Sequence, residues 1–250
     1  MSLSDFRIIK YNTIDSTNKQ LKSIADDTEN GCVIVADRQT AGRGRFDRKW
    51  ESSEKGAWFS ILVKDTRLNT ENASCLVFVC ALAVCETIIA LTGNRDVKIK
   101  WPNDIVLNGK KLAGILCESG FNNGRPVWTI CGIGINLNQT DFPEELPHAA
   151  SVFTQTGKEL DRDEVVNNVL FCFEKWLYLL FEKGTESIVR SMEGFSATLG
   201  KEVKVVDSGS EITGKALRFE KDGSLAVLTY EGIFIIRVGD VSVRGIMGYV

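Results

Sequence analysis

The residues with the most chemistry to offer stand in one run, Gly42-Arg43-Gly44-Arg45-Phe46-Asp47-Arg48-Lys49-Trp50. Arginine keeps its charge at any physiological pH, and its planar fork of donors matches a carboxylate or a phosphate. The two glycines give the backbone access to positive φ and to close approach of a ligand. Trp50 adds a flat ring able to stack on a base. Such a run suits a loop that closes over a small anion. It also reads as a solvated linker, or as an Arg-Gly segment that touches RNA without specificity. Its flanks favour the first reading. Val33-Ile34-Val35-Ala36 before it and Ala57-Trp58-Phe59-Ser60-Ile61-Leu62-Val63 after it have the composition of buried strands.

Three more polar clusters fall at predicted element ends. Ser16-Thr17-Asn18 precedes a helical pattern that begins at Lys19, where such side chains cap a helix or meet a polar ligand atom. Lys100-Trp101-Pro102-Asn103-Asp104 closes one strand and bends into the next, because Pro102 lacks a backbone donor and holds Trp101 extended. Asn108-Gly109 is a hairpin signal that returns the chain through Lys111. A second turn at Asn122-Asn123-Gly124 completes an antiparallel meander over 97–137, with its polar residues at the corners.

A carboxylate substrate is already ionised at neutral pH and needs no base to attack a phosphorus atom. It needs cations to offset the repulsion of two anions, a Mg²⁺ ligand, and positioning. Arg43, Arg45, Arg48, Lys111 and Asp104 form that inventory. Histidine-based acid–base chemistry is disfavoured, because His148 is the one histidine and lies in a proline-flanked loop. A zinc site is disfavoured for the same reason.

Composition narrows the classes. A net charge of −3 over 250 residues argues against a general nucleic-acid binder, so the arginine run is a local feature. Seven cysteines without a Cys-x-x-Cys pair fit the reduced thiols of a cytosolic protein. Cys75, Cys80 and Cys85 do not share a helical face and read as packing residues. The N-terminus is too polar for a signal peptide. The apolar stretch 73–91 contains Glu86 and reads as a buried helix ended by Gly93, not as a membrane span.

Segment 139–157 reads as a loop. Asp161 to Glu164 starts a helix carrying Val169, Phe173, Trp176, Leu177, Leu180 and Phe181 on one stripe, and Gly184 stops it. Trp176 therefore belongs to the core. A shorter helix is predicted over 186–199. From Gly200 the pattern becomes five short strands, with turns at Ser208-Gly209, Asp222-Gly223 and Glu231-Gly232, which suggests a small barrel. The expected division is 1–199 and 200–250.

The motifs resemble those of the biotin protein ligases. Gly42 to Trp50 is similar to the family's Gly-Arg-Gly-Arg-x-x-Arg-x-Trp signature. Lys100-Trp101-Pro102-Asn103-Asp104, Lys111-Leu112-Ala113-Gly114-Ile115-Leu116, Ser16-Thr17-Asn18 and Gly132-Ile133-Gly134-Ile135-Asn136 match its further motifs in order. The resemblance implies an α+β fold, a mixed and largely antiparallel sheet flanked by helices as in class II synthetases, followed by a small SH3-like β-barrel. It implies a cytoplasmic enzyme that makes biotinyl-5′-AMP from biotin and MgATP and passes biotin to a lysine of a biotin carboxyl carrier protein domain. By carry-over, Ser16, Thr17, Asn18, Gln39, Gly42 and Gly114 line the biotin side. Arg43, Gly44 and Arg45 clamp carboxylate and phosphate, and Lys111 meets the reacting carboxyl oxygen. Arg48, Trp50, Asn103 and Asn136 serve the nucleotide, and Asp104 acts as catalytic carboxylate or Mg²⁺ ligand. Only about ten residues precede the first matched strand, which implies a form without a DNA-binding domain. The family often dimerises through its sheet, and the sequence leaves the oligomeric state open. A lipoate or octanoate transferase is the nearest alternative; a non-catalytic RNA- or carrier-binding module is the more distant one.

Ordering a residue costs about 1–2 kcal/mol of backbone entropy. Residues 40–50 have few apolar anchors to offset it, so the loop is expected to be mobile until ligand arrives. Hydrogen exchange should show 40–50 gaining protection when biotin is added; equal protection with and without biotin would contradict this.

Overall fold

The computed structural model describes residues 6–207, 210–238, 242–245 and 249. Its centre is a seven-stranded mixed sheet in the order β1-β2-β3-β7-β6-β5-β4. The strands are β1 (Arg7–Ile14), β2 (Cys32–Gln39), β3 (Gly56–Val63), β4 (Lys98–Lys100), β5 (Asp104–Leu107), β6 (Lys110–Asn122) and β7 (Arg125–Asn136). β1 and β2 run parallel, joined across α1 (Thr17–Ile24), and the other neighbours are antiparallel. The expected meander is β4 to β7. Its Asn108-Gly109 turn holds both residues at positive φ, 51° and 71°, as a tight hairpin requires.

Both faces of the sheet are covered. Cys32, Ile34, Leu62 and Ile130 alternate toward Leu21 of α1. Val33, Val35, Phe59, Ile61, Cys131 and Ile133 alternate toward the opposite layer, whose central helix is α2 (Thr70–Thr92). All eight residues of β3 are buried, which is why the strand reads as a continuous apolar run. α2 packs on α4 (Arg162–Lys183) and α5 (Thr185–Glu193). α2 is long and apolar enough to cross a membrane, yet 78% of its most apolar window is buried within the protein. Gly93 ends it at φ 76°, donating to the Ile89 carbonyl at 2.8 Å. Trp176 lies in the core as expected and donates to Glu86 at 3.0 Å.

Three expectations need correction. Segment 139–157 contains a short helix, α3 (Val152–Thr156), started by reciprocal capping between Ser151 and Thr154. α5 stops at Glu193, ahead of Gly194, and does not reach 199. The C-terminal strands are β8 (Glu202–Asp207), β9 (Ser210–Phe219), β10 (Leu225–Thr229), β11 (Gly232–Ile236) and β12 (Ser242–Gly245). Among the described residues they form an antiparallel sheet in the order β11-β10-β9-β8-β12, consistent with an SH3-like unit and not closed into a barrel. Its edge strands have five and four residues and offer few ladder bonds for closure. The expected turn at Ser208-Gly209 lies outside the described residues.

The two sheets share one core. Val203, Val205, Ala216 and Leu225 belong to the same buried cluster as α2 and Trp101. The Trp101 indole donates to the Gly223 carbonyl at 2.9 Å. Cysteines distant in sequence also converge there, with the sulfurs of Cys80, Cys117 and Cys131 within 4.8 Å of one another. Cys117 and Cys131 face each other across the β6–β7 ladder.

Candidate active site

One cavity of about 670 Å³ opens on the α1 face of the large sheet. Every sequence-predicted site residue except Gly42 lines it. Its floor is a patch of sheet in which three glycines stand where side chains would otherwise project. Gly114 on β6 pairs directly with Gly134 on β7, and Leu116 pairs with Gly132. A Cβ on Gly114 would lie 2.9 Å from the Trp50 ring, one on Gly134 2.6 Å from Trp50 Nε1, and one on Gly132 2.1 Å from Asn18 Oδ1. The glycines thus make room for Asn18 and Trp50. Trp50 Nε1 is buried and, among the described residues, has no hydrogen-bond partner. Such a donor is expensive to leave unmet and is suited to a ligand acceptor.

At one end lies a tightly wired polar cluster. Ser16 caps α1, accepting from the Lys19 amide at 3.5 Å, so its capping role holds. The Thr17 amide and hydroxyl both donate to Gln39 Oε1, at 2.8 and 3.1 Å. Gln39 Nε2 donates to Ser52 at 2.9 Å. Ser60 Oγ lies 2.8 Å from Thr17 Oγ1 and 2.6 Å from Asn18 Oδ1. Asn18 Nδ2 donates to Glu118 at 2.9 Å and more weakly to the Leu116 carbonyl. Thr17, Asn18 and Ser60 are all buried. Sequence reading missed Ser60 and Glu118, although Ser60 was visible as the one hydroxyl inside an otherwise apolar strand.

The arginine run folds as a small hairpin over the cavity. Trp50 N donates to the Gly42 carbonyl at 2.9 Å, and Gly44 N to the Arg48 carbonyl at 2.7 Å. The positive φ angles fall at its tip, on Phe46 (56°) and Asp47 (54°), and not on the glycines as expected. Gly42 is needed for a different reason: a Cβ there would lie 2.5 Å from the Trp50 carbonyl oxygen. Arg45 Nη1 donates to Asn103 Oδ1 at 3.2 Å, and the Arg45 and Arg48 guanidinium groups lie 4.9 and 5.9 Å from the Phe46 ring. Arg43 pairs with Asp47 at 2.9 Å.

At the other end, Asp104 begins β5 and Lys111 is the second residue of β6, the returning strand. Their side chains form an ion pair, Nζ to Oδ1 2.6 Å, and Lys111 Nζ also lies 4.9 Å from the Trp50 ring. The Lys111 backbone is held on both sides, donating to the His148 carbonyl at 2.7 Å and accepting from Ala150 N at 2.9 Å. Asn136 fixes the same segment by donating to the Ala150 carbonyl at 3.0 Å. Asp104 is only 8% exposed. Burial alone pushes its carboxyl upward, but Lys111 and Lys100 outweigh that and hold it below the usual carboxylate range. Its Oδ2 accepts from Tyr249. Oδ1 faces the Lys111 ammonium without a formed hydrogen bond, and a Mg²⁺ ion brought with phosphates would need only one or two carboxylates from the protein.

Comparison with known proteins agrees with this geometry. The family model described as "Biotin/lipoate A/B protein ligase family" matches residues 11–136. The chain belongs to this family. A biotin--[acetyl-CoA-carboxylase] ligase of Paracoccus denitrificans is 30% identical to this ligase, over 92% of this chain and 98% of that protein. The bifunctional ligase/repressor BirA of Bacillus subtilis is 36% identical, over 94% of this chain and 73% of that protein. The biotin protein ligase of Aquifex aeolicus, solved in complex with biotin and ATP, superposes with a TM-score of 0.85 at 36% identity, covering 96% of this chain and 99% of that one. These relatives place the chain among the biotin protein ligases.

The bare floor yields a prediction. Gly132→Ala places a methyl group on Asn18, and over-packing of this kind costs about 1–3 kcal/mol. Urea unfolding should show that loss; unchanged stability would mean that Asn18 moves aside freely.

Proposed function

We propose that this ligase activates biotin with ATP and transfers it to a lysine of a biotin carboxyl carrier domain. The observation that carries the reading is one cavity with a polar cluster at one end, a Lys111–Asp104 ion pair at the other, and an arginine hairpin across the top. In the first step a biotin carboxylate oxygen bonds to the α-phosphorus of ATP, and the bond to pyrophosphate breaks. In the second, the carrier amine attacks the acyl carbon, AMP departs, and the amine loses a proton.

The Thr17–Gln39–Ser60–Asn18 cluster offers matched donors and acceptors to the polar ring of biotin. Arg43, Arg45 and Arg48 offset the charge of carboxylate and phosphates, and Trp50 supplies its unmet N–H and ring face to the adenylate. Lys111 leaves Asp104 to contact the reacting carboxyl oxygen. Magnesium enters bound to ATP, as part of the substrate. Residues 1–199 form the catalytic unit, and 200–250 close one side of the cavity through Val243 and Tyr249. Seven free thiols suit the cytoplasm, where the carrier and ATP meet.

The ionisation of Asp104 bears on its role. With the Lys111 ammonium 2.6 Å away its carboxyl is held below the usual range, so before substrate arrives Asp104 is an anion facing that ammonium. Orientation of Lys111 is therefore the role we assign to Asp104, and both half-reactions depend on it.

Incubation with MgATP, biotin and a purified carrier domain should add one biotinyl group by intact mass. A gain only with lipoate or octanoate would overturn the substrate. Asp104→Asn should slow adenylate formation and transfer together, by about tenfold or more. Slowed transfer with normal adenylation would make Asp104 the proton acceptor instead.

A further inference from the structure

Near the end of the chain, Tyr249 lies in the wall of the cavity, 145 positions beyond Asp104. Its hydroxyl donates to Asp104 Oδ2 at 2.5 Å. Its ring stacks on His148, with centroids 5.2 Å apart and planes at 28°. Lys100 Nζ lies 3.9 Å from the centre of the same ring. Each contact falls on a residue adjacent to the reacting centre. Asp104 pairs with Lys111, Lys100 shares the charge balance of Asp104, and the His148 carbonyl receives the Lys111 amide.

A buried carboxylate with two oxygens can rotate about its Cβ–Cγ bond unless both are fixed. Lys111 fixes Oδ1 only while it stays paired. Under the reading above, Lys111 turns toward the substrate carboxyl group. Asp104 then needs a second anchor to keep its charge facing the ammonium, and the Tyr249 hydroxyl supplies one. The aromatic stack on His148 and the nearby Lys100 ammonium hold the ring in place, each contact being directional.

We infer that Tyr249 is a positioning residue of the ligase reaction, acting through Asp104 to orient Lys111 in both half-reactions. This rests on the proposed function and extends it to the C-terminal segment. Tyr249 touches neither reacting atom, so its loss should change turnover and leave biotin recognition by the Thr17–Gln39 cluster intact.

The test uses the full-length chain, Tyr249→Phe, Asp104→Asn and the double variant. Biotin-dependent pyrophosphate–ATP exchange and transfer from isolated adenylate to carrier are measured separately. Tyr249→Phe keeps the ring and removes the hydroxyl that bonds Asp104. Its kcat should fall about tenfold in both half-reactions, with the biotin KM within about twofold of wild type. The double variant should be no slower than Asp104→Asn, because the hydroxyl works through that carboxylate. Independent, multiplicative losses would overturn the inference, as would a kcat within twofold of wild type or a loss confined to KM. A wild-type chain inactive in both assays would overturn the parent reading, and the inference with it.

Discussion

The ion pair between buried Asp104 and partly exposed Lys111 is the interaction on which the rest of the site depends. A carboxylate this far from water is tolerable only with a partner, and removing one member of such a pair costs about 3–5 kcal/mol. The fold meets that demand by hairpin geometry. β5 starts at Asp104, the Asn108-Gly109 turn reverses the chain, and Lys111 returns alongside. Asn103 ties the bend to Ile115, its carbonyl accepting from the Ile115 amide and its side-chain Nδ2 donating to the Ile115 carbonyl, both at 2.9 Å. His148, Ala150 and Asn136 then hold the Lys111 strand from the far side. A lysine so placed faces Asp104 from the wall of the cavity.

Emptiness is the second constraint. The α1 face of β6 and β7 carries Gly114, Gly132 and Gly134 where side chains would otherwise fill the cavity. Trp50 and Asn18 occupy part of that space and define its two ends. The arginine hairpin is held at its base by Gly42 and Trp50, while Phe46 at its tip is 51% exposed. A lid built this way brings positive charge over the cavity and leaves its tip unanchored by the core.

Local signals carried much of this into the sequence. Asn108-Gly109, Gly93 and Gly184 marked turns and helix ends, and unbroken apolar runs marked β3 and α2. The ordered motifs gathered the site residues because each sits at a strand or helix end. Other features depend on contacts across long separations. Tyr249 reaches Asp104, Ser60 joins Thr17 and Asn18, and three cysteines meet from α2, β6 and β7. Periodicity says nothing about such pairings. The open C-terminal sheet escaped for a related reason, since short alternating strands read alike whether or not their edges meet. The short helix α3 was hidden by the prolines around it, and its Ser151–Thr154 capping pair was the available signal.

The most direct measurement is biotin-dependent pyrophosphate–ATP exchange by Lys111→Met, a change that keeps an unbranched side chain, one atom shorter, and removes its charge. If Lys111 turns from Asp104 to the reacting carboxyl group, exchange should fall by about 100-fold or more, the usual loss for a donor aimed at developing charge. Exchange within about twofold of wild type would show that the ion pair only stabilises the fold, and would contradict the account.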